Sequence, residues 1–162
     1  MRHYYAALMY TVLGLASGLF YREYTQAHEF TGATELGTVH THLLGLGLTV
    51  TLVVLALDAV FGLTGRGPFT WFFWLFHLGV LVTSVMMAVR GVLTVDGLTP
   101  AETSAVIPGI AGLGHMLVTA GLALLFVALY GGVRERQAHL ETGRAGGAVA
   151  DGLGGLECLS GI

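Results

Sequence analysis

"VHTHLLGLGLTVTLVVLAL", residues 39–57, is the stretch that decides the fold class of this chain. A bilayer core of about 30 Å requires roughly 20 apolar residues in a helix, and in this stretch the only titratable side chains are those of His40 and His42. The chain has 162 residues, of which 54% are hydrophobic and 10% charged, whereas an ordinary soluble domain carries about 25% charged residues. We therefore expect an integral membrane protein.

Three further segments have the length and composition of membrane spans, so that the helices are predicted at about 4–21, 36–63, 69–93 and 100–134. The predicted fold is an all-α, up-down-up-down four-helix bundle in residues 1–134. A cytoplasmic helix extension and a flexible Gly-rich tail are predicted in residues 135–162. The turn "GLTGRGP" (62–68) separates the second and third spans, and Thr99, Pro100 and Glu102 are typical of a capped helix start.

The arginines predict the orientation of the bundle. Threading four spans places five of them on one side, namely Arg2, Arg66, Arg134, Arg136 and Arg144. Arg22 and Arg90 lie on the other side, so the positive-inside rule places both termini in the cytoplasm. A signal peptide is disfavoured for the first segment because its apolar run continues to Tyr21.

Composition also excludes several function classes. The formal net charge of -3 offers no basic surface, so we expect no nucleic-acid partner. The single cysteine, Cys158, cannot form a disulfide framework or a thiolate metal site within one chain. Any metal chemistry therefore has to rest on histidine.

Four histidines fall inside the predicted spans: His40, His42, His77 and His115. An ionisable residue within a membrane is a functional-site hypothesis, although a single imidazole can also be satisfied by a threonine or a backbone carbonyl. At about 100° per residue, His40 and His42 point to nearly opposite sides of their helix. His42 shares its helix face with Gly45, Thr49 and Ala56, and His40 shares the opposite face with Gly47, Thr51 and Asp58. His77 shares its face with Thr70, Ser84, Ala88 and Gly91. His115 shares its face with Pro108, Ala111, Gly112 and Thr119. Small polar faces favour helix contacts, so His77 and His115 are expected to point inward.

Depth along the spans favours one pair of histidines. At 1.5 Å per residue, His42 lies roughly 10 Å and His115 roughly 5 Å toward the predicted outer side of the helix midpoints, while His77 lies roughly 6 Å inward. Two imidazoles facing each other across a bundle are an arrangement that holds haem. We predict b-type haem with His115 and His42 as axial ligands and His40 as the alternative to His42.

The other parts of the predicted haem site are small residues and cations. Gly45, Gly47, Gly112 and Gly114 would leave room for the macrocycle. Arg22 and Arg90 would lie near the propionates, or else would pair with carboxylates such as Glu23 or Asp96. The predicted roles are electron transfer or the binding or sensing of a diatomic gas, so a binding protein is favoured over an enzyme.

Two alternatives from other classes remain open. A copper or zinc carrier would use His40, His42, His77 and His115 as successive stations, although three or four ligands must converge on such an ion. An accessory subunit of a respiratory complex would use the two-sided second helix for packing. Beyond the lipid bilayer, the expected partners are a quinone or a respiratory-chain protein and further copies of the chain in a homo-oligomer.

The chain resembles a family of small four-span bacterial membrane proteins of unknown function. "GLASGLFYREYT", "FTGATELGTVHTHLLGLG", "MMAVRG" and "GLGHM" carry this resemblance, which covers roughly residues 4–130. It implies a multi-pass protein of the bacterial plasma membrane and no particular chemistry.

"VHTHLLGLG" (39–47) is also locally similar to the haem-ligand helices of haem-copper oxidases and nitric oxide reductases. The likeness to a His-Thr motif implies His40 as a haem ligand, and the likeness to a His-x-His-Leu motif followed by Gly implies His42. Those enzymes use twelve or more helices and further histidines that this chain does not have, so oxygen reduction is not expected.

Overall fold

The structure, a computed structural model, describes residues 1–98, 104 and 106–157. The described part is all-helical, and its four long helices are α1 (Arg2–Ala27), α2 (Leu36–Phe61), α3 (Gly67–Val95) and α4 (Val106–Glu157). Each contains a segment long and apolar enough to cross a membrane. The predicted all-α, four-span fold is therefore confirmed, while the orientation of the termini stays a prediction. The predicted capping residues Thr99, Pro100 and Glu102 lie outside the described residues.

Helix α2 changes its winding where the histidines lie. It is α-helical over Leu36–Thr41, a π-helix over His42–Thr49 and α-helical again over Val50–Phe61. The Thr49 hydroxyl donates a hydrogen bond to the Leu44 carbonyl five residues earlier, at 3.0 Å. A π-helix is rare and is often found at functional sites, and in this chain it begins at His42.

The turn between α2 and α3 follows the predicted breakers. Gly62 ends α2 in the left-handed conformation with φ 59°, which glycine adopts without a steric penalty. The Asp58 carboxylate accepts hydrogen bonds from the Thr64 amide at 2.6 Å and the Thr64 hydroxyl at 2.5 Å. Pro68 lies in the first turn of α3, where its missing N–H removes no helical hydrogen bond.

The four helices pack as two close pairs through small residues. In the α1–α2 pair, a Cβ on Gly14 would collide with Leu44, and one on Gly18 would lie 3.6 Å from the His40 side chain. In the α3–α4 pair, a Cβ on Gly79 would lie 2.7 Å from the Gly114 carbonyl oxygen. Gly14 and Gly79 therefore allow the backbones within each pair to approach closely.

Helix α4 meets α2 chiefly along Val50–Phe61, near the end of the bundle that carries Arg66. There the Arg136 guanidinium donates to the Val60 carbonyl at 2.6 Å, and Arg66 forms a salt bridge with Glu135 at 2.6 Å. The helix continues to Glu157, further into the Gly-rich segment than the sequence predicts. Once a span has nucleated a helix, each added residue gains a hydrogen bond, so the helix can extend beyond its apolar part.

Candidate functional site

His42 and His115 lie side by side between α2 and α4. Their ring centres are 6.1 Å apart and their ring planes are inclined at 60°. His42 begins the π-helix and is half-buried, whereas His115 is exposed. The expectation that His115 points inward is therefore wrong, because the buried side of α4 is occupied by Gly114 and Val118 against α3.

Hydrogen bonding leaves one nitrogen of each imidazole free for a ligand. The His115 Nδ1 atom lies 3.0 Å from the Ala111 carbonyl oxygen. A carbonyl only accepts, so Nδ1 must carry the proton and Nε2 keeps its lone pair. Among the described residues nothing hydrogen-bonds the buried Nε2 atom of His42. The lone pair on His115 Nε2 is therefore available to a metal, and the Nε2 atom of His42 is left without a partner.

The surface around the two histidines is lined by small residues and is open. We call it the open face; it comprises His42, Gly45, Thr49, Gly112, His115 and Thr119. A Cβ added at Gly45 or at Gly112 would meet no described atom within 4 Å. The predicted clearance at these two positions is therefore present in the structure.

Gly47 and Gly114, which the sequence also predicts to leave room for the macrocycle, lie at helix contacts instead. A Cβ on Gly47 would lie 2.6 Å from the Tyr10 ring, and one on Gly114 would collide with the Thr83 hydroxyl. Both glycines therefore allow close helix contact, and the prediction that they flank a macrocycle is wrong.

His40 lies on the side of α2 that faces α1. Its side chain is half-buried beside Gly18, at 3.6 Å from the position of an added Cβ. Its Nδ1 atom is buried and forms no hydrogen bond with the described residues. Of the two histidines on this helix, the structure places His42 beside His115.

His77 belongs to a separate cluster in the half of the bundle that carries Arg66. The Tyr10 hydroxyl lies 2.9 Å from His77 Nδ1, and the His3 ring centre is 6.3 Å from that of His77. His3 is 3% exposed, and neither of its ring nitrogens has a hydrogen-bond partner among the described residues.

Sequence reasoning missed His3 because the first span was predicted to begin at about residue 4, whereas α1 begins at Arg2. Tyr10 lies inside the predicted span, but without His3 it was not recognised as part of a cluster. The seven-residue spacing of His3 and Tyr10 places both on one helix face and would have indicated the cluster.

Both arginines at the opposite end of the bundle have carboxylate neighbours. Arg90 Nη1 lies 3.0 Å from a Glu35 oxygen, and Arg22 Nε lies 4.0 Å from a Glu23 oxygen. Arg90 also lines a small cavity of about 350 Å³ with Thr38, which precedes His42 by one helical turn. Arg90 therefore lies beside the turn of α2 that precedes His42, whereas the Arg22 side chain is 77% exposed on α1.

The described residues contain no group of three or more His, Cys, Asp or Glu side chains that could together hold a metal ion. Copper and zinc sites in proteins use three or four such ligands. Four of the seven histidines instead form two separate pairs, His42 with His115 and His3 with His77.

A protein-family comparison matches residues 1–131 to a protein of unknown function, DUF2871. The chain belongs to this family. The matched region contains α1, α2, α3 and the first part of α4, and therefore includes both histidine pairs. No curated protein and no solved structure matches this DUF2871 protein, so the comparisons give no support to the local likeness to haem-copper oxidases.

Proposed function

We propose that this DUF2871 protein binds b-type haem between His42 and His115 and resides in the bacterial plasma membrane. The observation that carries the proposal is the 6.1 Å separation of the two ring centres. With about 2 Å from metal to each imidazole nitrogen and about 1 Å from that nitrogen to its ring centre, two opposed imidazoles on one metal have centres about 6 Å apart. The separation of the pair therefore suits two imidazoles that would hold one metal ion.

The chemistry of the two histidines also fits an iron ligand. The Ala111 carbonyl fixes the His115 tautomer with a lone pair on Nε2, as backbone carbonyls do for many metal-bound histidines. His42 has a buried Nε2 atom that lacks a described partner, which costs free energy unless a ligand satisfies it. A ligand that coordinates both nitrogens would remove that cost.

The open face supports a flat, mainly apolar ligand. Gly45 and Gly112 leave space beside each histidine, and α2 and α4 meet chiefly nearer the Arg66 end. Arg90 is the better candidate for a propionate partner, because it shares a cavity with Thr38 while Arg22 is solvated. Propionate binding by Arg90 would compete with its Glu35 salt bridge.

Bound haem would supply one-electron transfer or the binding of dioxygen or nitric oxide. In this protein His42 and His115 would hold the iron, and the small residues of the open face would set access to it. A quinone or a respiratory-chain protein would be the electron partner. The exposed position of His115 also suits a second copy of the chain covering the open face.

The test is the absorption spectrum of the protein purified in mild detergent after expression with haem supplied. We expect a Soret band and, after reduction, the sharp visible bands of haem with two imidazole ligands. His42→Ala and His115→Ala should each abolish or shift these bands. His40→Ala is the matched control, because it removes an imidazole only two residues from His42 on the α1 side, and it should leave the bands unchanged.

A missing Soret band would reject the proposal. Unaltered bands in both His42→Ala and His115→Ala would reject these two ligands even if haem is bound. Copper or zinc without haem would favour the carrier alternative, and a colourless, metal-free, monodisperse protein would favour an accessory subunit.

A further inference from the structure

A cavity of about 600 Å³ lies between α1 and α3, in the half of the bundle that carries Arg66. Ligand pockets in proteins have volumes of about 300–1,000 Å³. Its lining is almost entirely apolar and includes Ala6, Met9, Phe73 and Leu81. Tyr5 and Trp74 border it and are 62% and 63% exposed, so the cavity opens at the side of the bundle, on a surface that lipid would cover. The open face with His42 and His115 lies elsewhere, between α2 and α4.

One buried polar side chain lines this apolar cavity. His77 is 6% exposed, and its Nε2 atom forms no hydrogen bond within the described residues. Its Nδ1 atom is held by the hydroxyl of Tyr10, which is completely buried and does not line the cavity. Nε2 is therefore the ring nitrogen that is buried without a partner.

The Tyr10 hydrogen bond determines what His77 can offer. Among the described residues, His77 is the hydrogen-bond partner of the Tyr10 hydroxyl. The hydroxyl therefore donates its proton to His77 Nδ1. With a lone pair on Nδ1, the imidazole carries its proton on Nε2 and needs an acceptor there. This state is opposite to that of His115 and is unsuited to binding a metal through Nε2.

We propose that the cavity binds the head group of a quinone. A quinone ring is flat and apolar, reaches the cavity through the lipid and carries carbonyl oxygens that accept hydrogen bonds. The His77 Nε2–H group would donate to one carbonyl, and the aromatic rings of Tyr5, Phe73 and Trp74 would flank the quinone ring. Arg2, a second donor, lies at the same cavity with its guanidinium 5.0 Å from the centre of the Phe73 ring. An acyl chain would fill the same volume but would leave Nε2–H unsatisfied.

Two tryptophans make this proposal testable. Trp74 lines the cavity and Trp71 does not, yet both are 63% exposed on α3. They are the two tryptophans of the chain, so Trp71→Phe leaves Trp74 as the reporter and Trp74→Phe leaves Trp71. We expect decylubiquinone, a ubiquinone analogue with a decyl tail, to quench Trp74 fluorescence with saturation. The quenching of Trp71 should rise linearly with the quinone that partitions into the micelle.

The hydrogen bond to His77 is tested in the Trp71→Phe background. His77→Leu should weaken quinone binding by about tenfold, the effect of losing one buried hydrogen bond. His28→Leu, which removes a histidine remote from the cavity, should leave the affinity unchanged. Decylbenzene, which has the same tail and a ring without carbonyls, should not displace the quinone at equal concentration.

Equal, unsaturated quenching of Trp71 and Trp74 would overturn the proposal, as would displacement by decylbenzene, which would indicate a lipid groove. If His77→Leu fails to fold, the comparison of the two tryptophans still decides whether the cavity binds a quinone. This proposal does not depend on haem, since the haem spectrum reports on His42 and His115 and the fluorescence titration on α1 and α3. Either proposal can therefore fail alone.

Discussion

His77 and His115 show how one hydrogen-bond partner sets the chemistry of an imidazole. Ala111 offers His115 a carbonyl, which forces the proton onto Nδ1 and leaves a metal-binding lone pair on Nε2. Tyr10 offers His77 a hydroxyl that donates to Nδ1 and leaves a proton on Nε2. Two histidines that look equivalent in the sequence are therefore suited to different ligands, a metal and a carbonyl oxygen.

The Tyr10 hydroxyl should also contribute to stability. Tyr10→Phe keeps the ring among its buried neighbours but removes the hydroxyl at 2.9 Å from His77 Nδ1. We expect the free energy of unfolding to fall by about 1 kcal/mol, the usual net value of such a hydrogen bond. Unfolding in mixed micelles with increasing SDS measures it. Tyr130→Phe, at a position 71% exposed, should change it by less; an equal loss in both variants would argue against the contribution.

For single residues, the sequence predicts which side chains belong to the candidate site better than it predicts where those side chains lie. Helical spacing separates His40 from His42 and brings His42 to the level of His115, and the structure has the same pairing. The exposure of His115 depends on which side of α4 packs on α3, and that is settled by contacts between residues distant in the chain. His3 was missed because its helix begins two residues before the predicted start.

Glycines within one helix have different functions depending on the helix face. Gly112 and Gly114 are two residues apart on α4, so they point in directions about 200° apart. Gly114 lies against Thr83 and Gly79 of α3, whereas Gly112 lies on the open face with no described atom within 4 Å of an added Cβ. The sequence predicts small residues here but does not distinguish the glycine that packs from the glycine that leaves space.

The different surroundings of Gly112 and Gly114 predict that substitution by leucine has different effects at the two positions. Gly114→Leu should force α3 and α4 apart and cost about 1–3 kcal/mol or more, because the neighbouring backbone cannot yield. Gly112→Leu should leave the fold intact and lower the haem content, because the leucine would occupy the space beside His115. The ratio of Soret to protein absorbance and the thermal unfolding midpoint in detergent measure the two effects. Full haem content in Gly112→Leu would show that the open face does not hold the macrocycle.

The π-helix of α2 was not predicted from the sequence. Hydropathy identifies residues 36–63 as a span, and the helix occupies Leu36–Phe61. Hydropathy does not report a change from i→i+4 to i→i+5 hydrogen bonds, because the hydropathy of "HLLGLGLT" is the same in either winding. The wider turn begins at His42, so the local geometry that orients this ligand had to come from the structure.

For the whole molecule, the four-span fold follows from hydropathy alone, whereas the way the helices pair depends on where their small faces meet. The two close pairs, α1–α2 and α3–α4, leave α2 and α4 apart except toward the Arg66 end. The open face and the cavity beside His77 lie on different sides and in different halves of the bundle. A quinone and a haem bound at these two places would therefore occupy separate sites within one small protein.

The orientation of the bundle decides which of these sites is nearer the cytoplasm, and the chain contains a probe for it. Its single cysteine, Cys158, follows the last span, whose C-terminal end is predicted from the arginine distribution to lie in the cytoplasm. In intact cells, a membrane-impermeant maleimide should leave Cys158 unlabelled until the membrane is permeabilised. In a Cys158→Ser background, Asp96→Cys places the thiol at the exposed end of α3, where the same reagent should react without permeabilisation. The reverse labelling pattern would show that the bundle has the inverted orientation, with the His77 cavity nearer the outer surface and the open face nearer the cytoplasm.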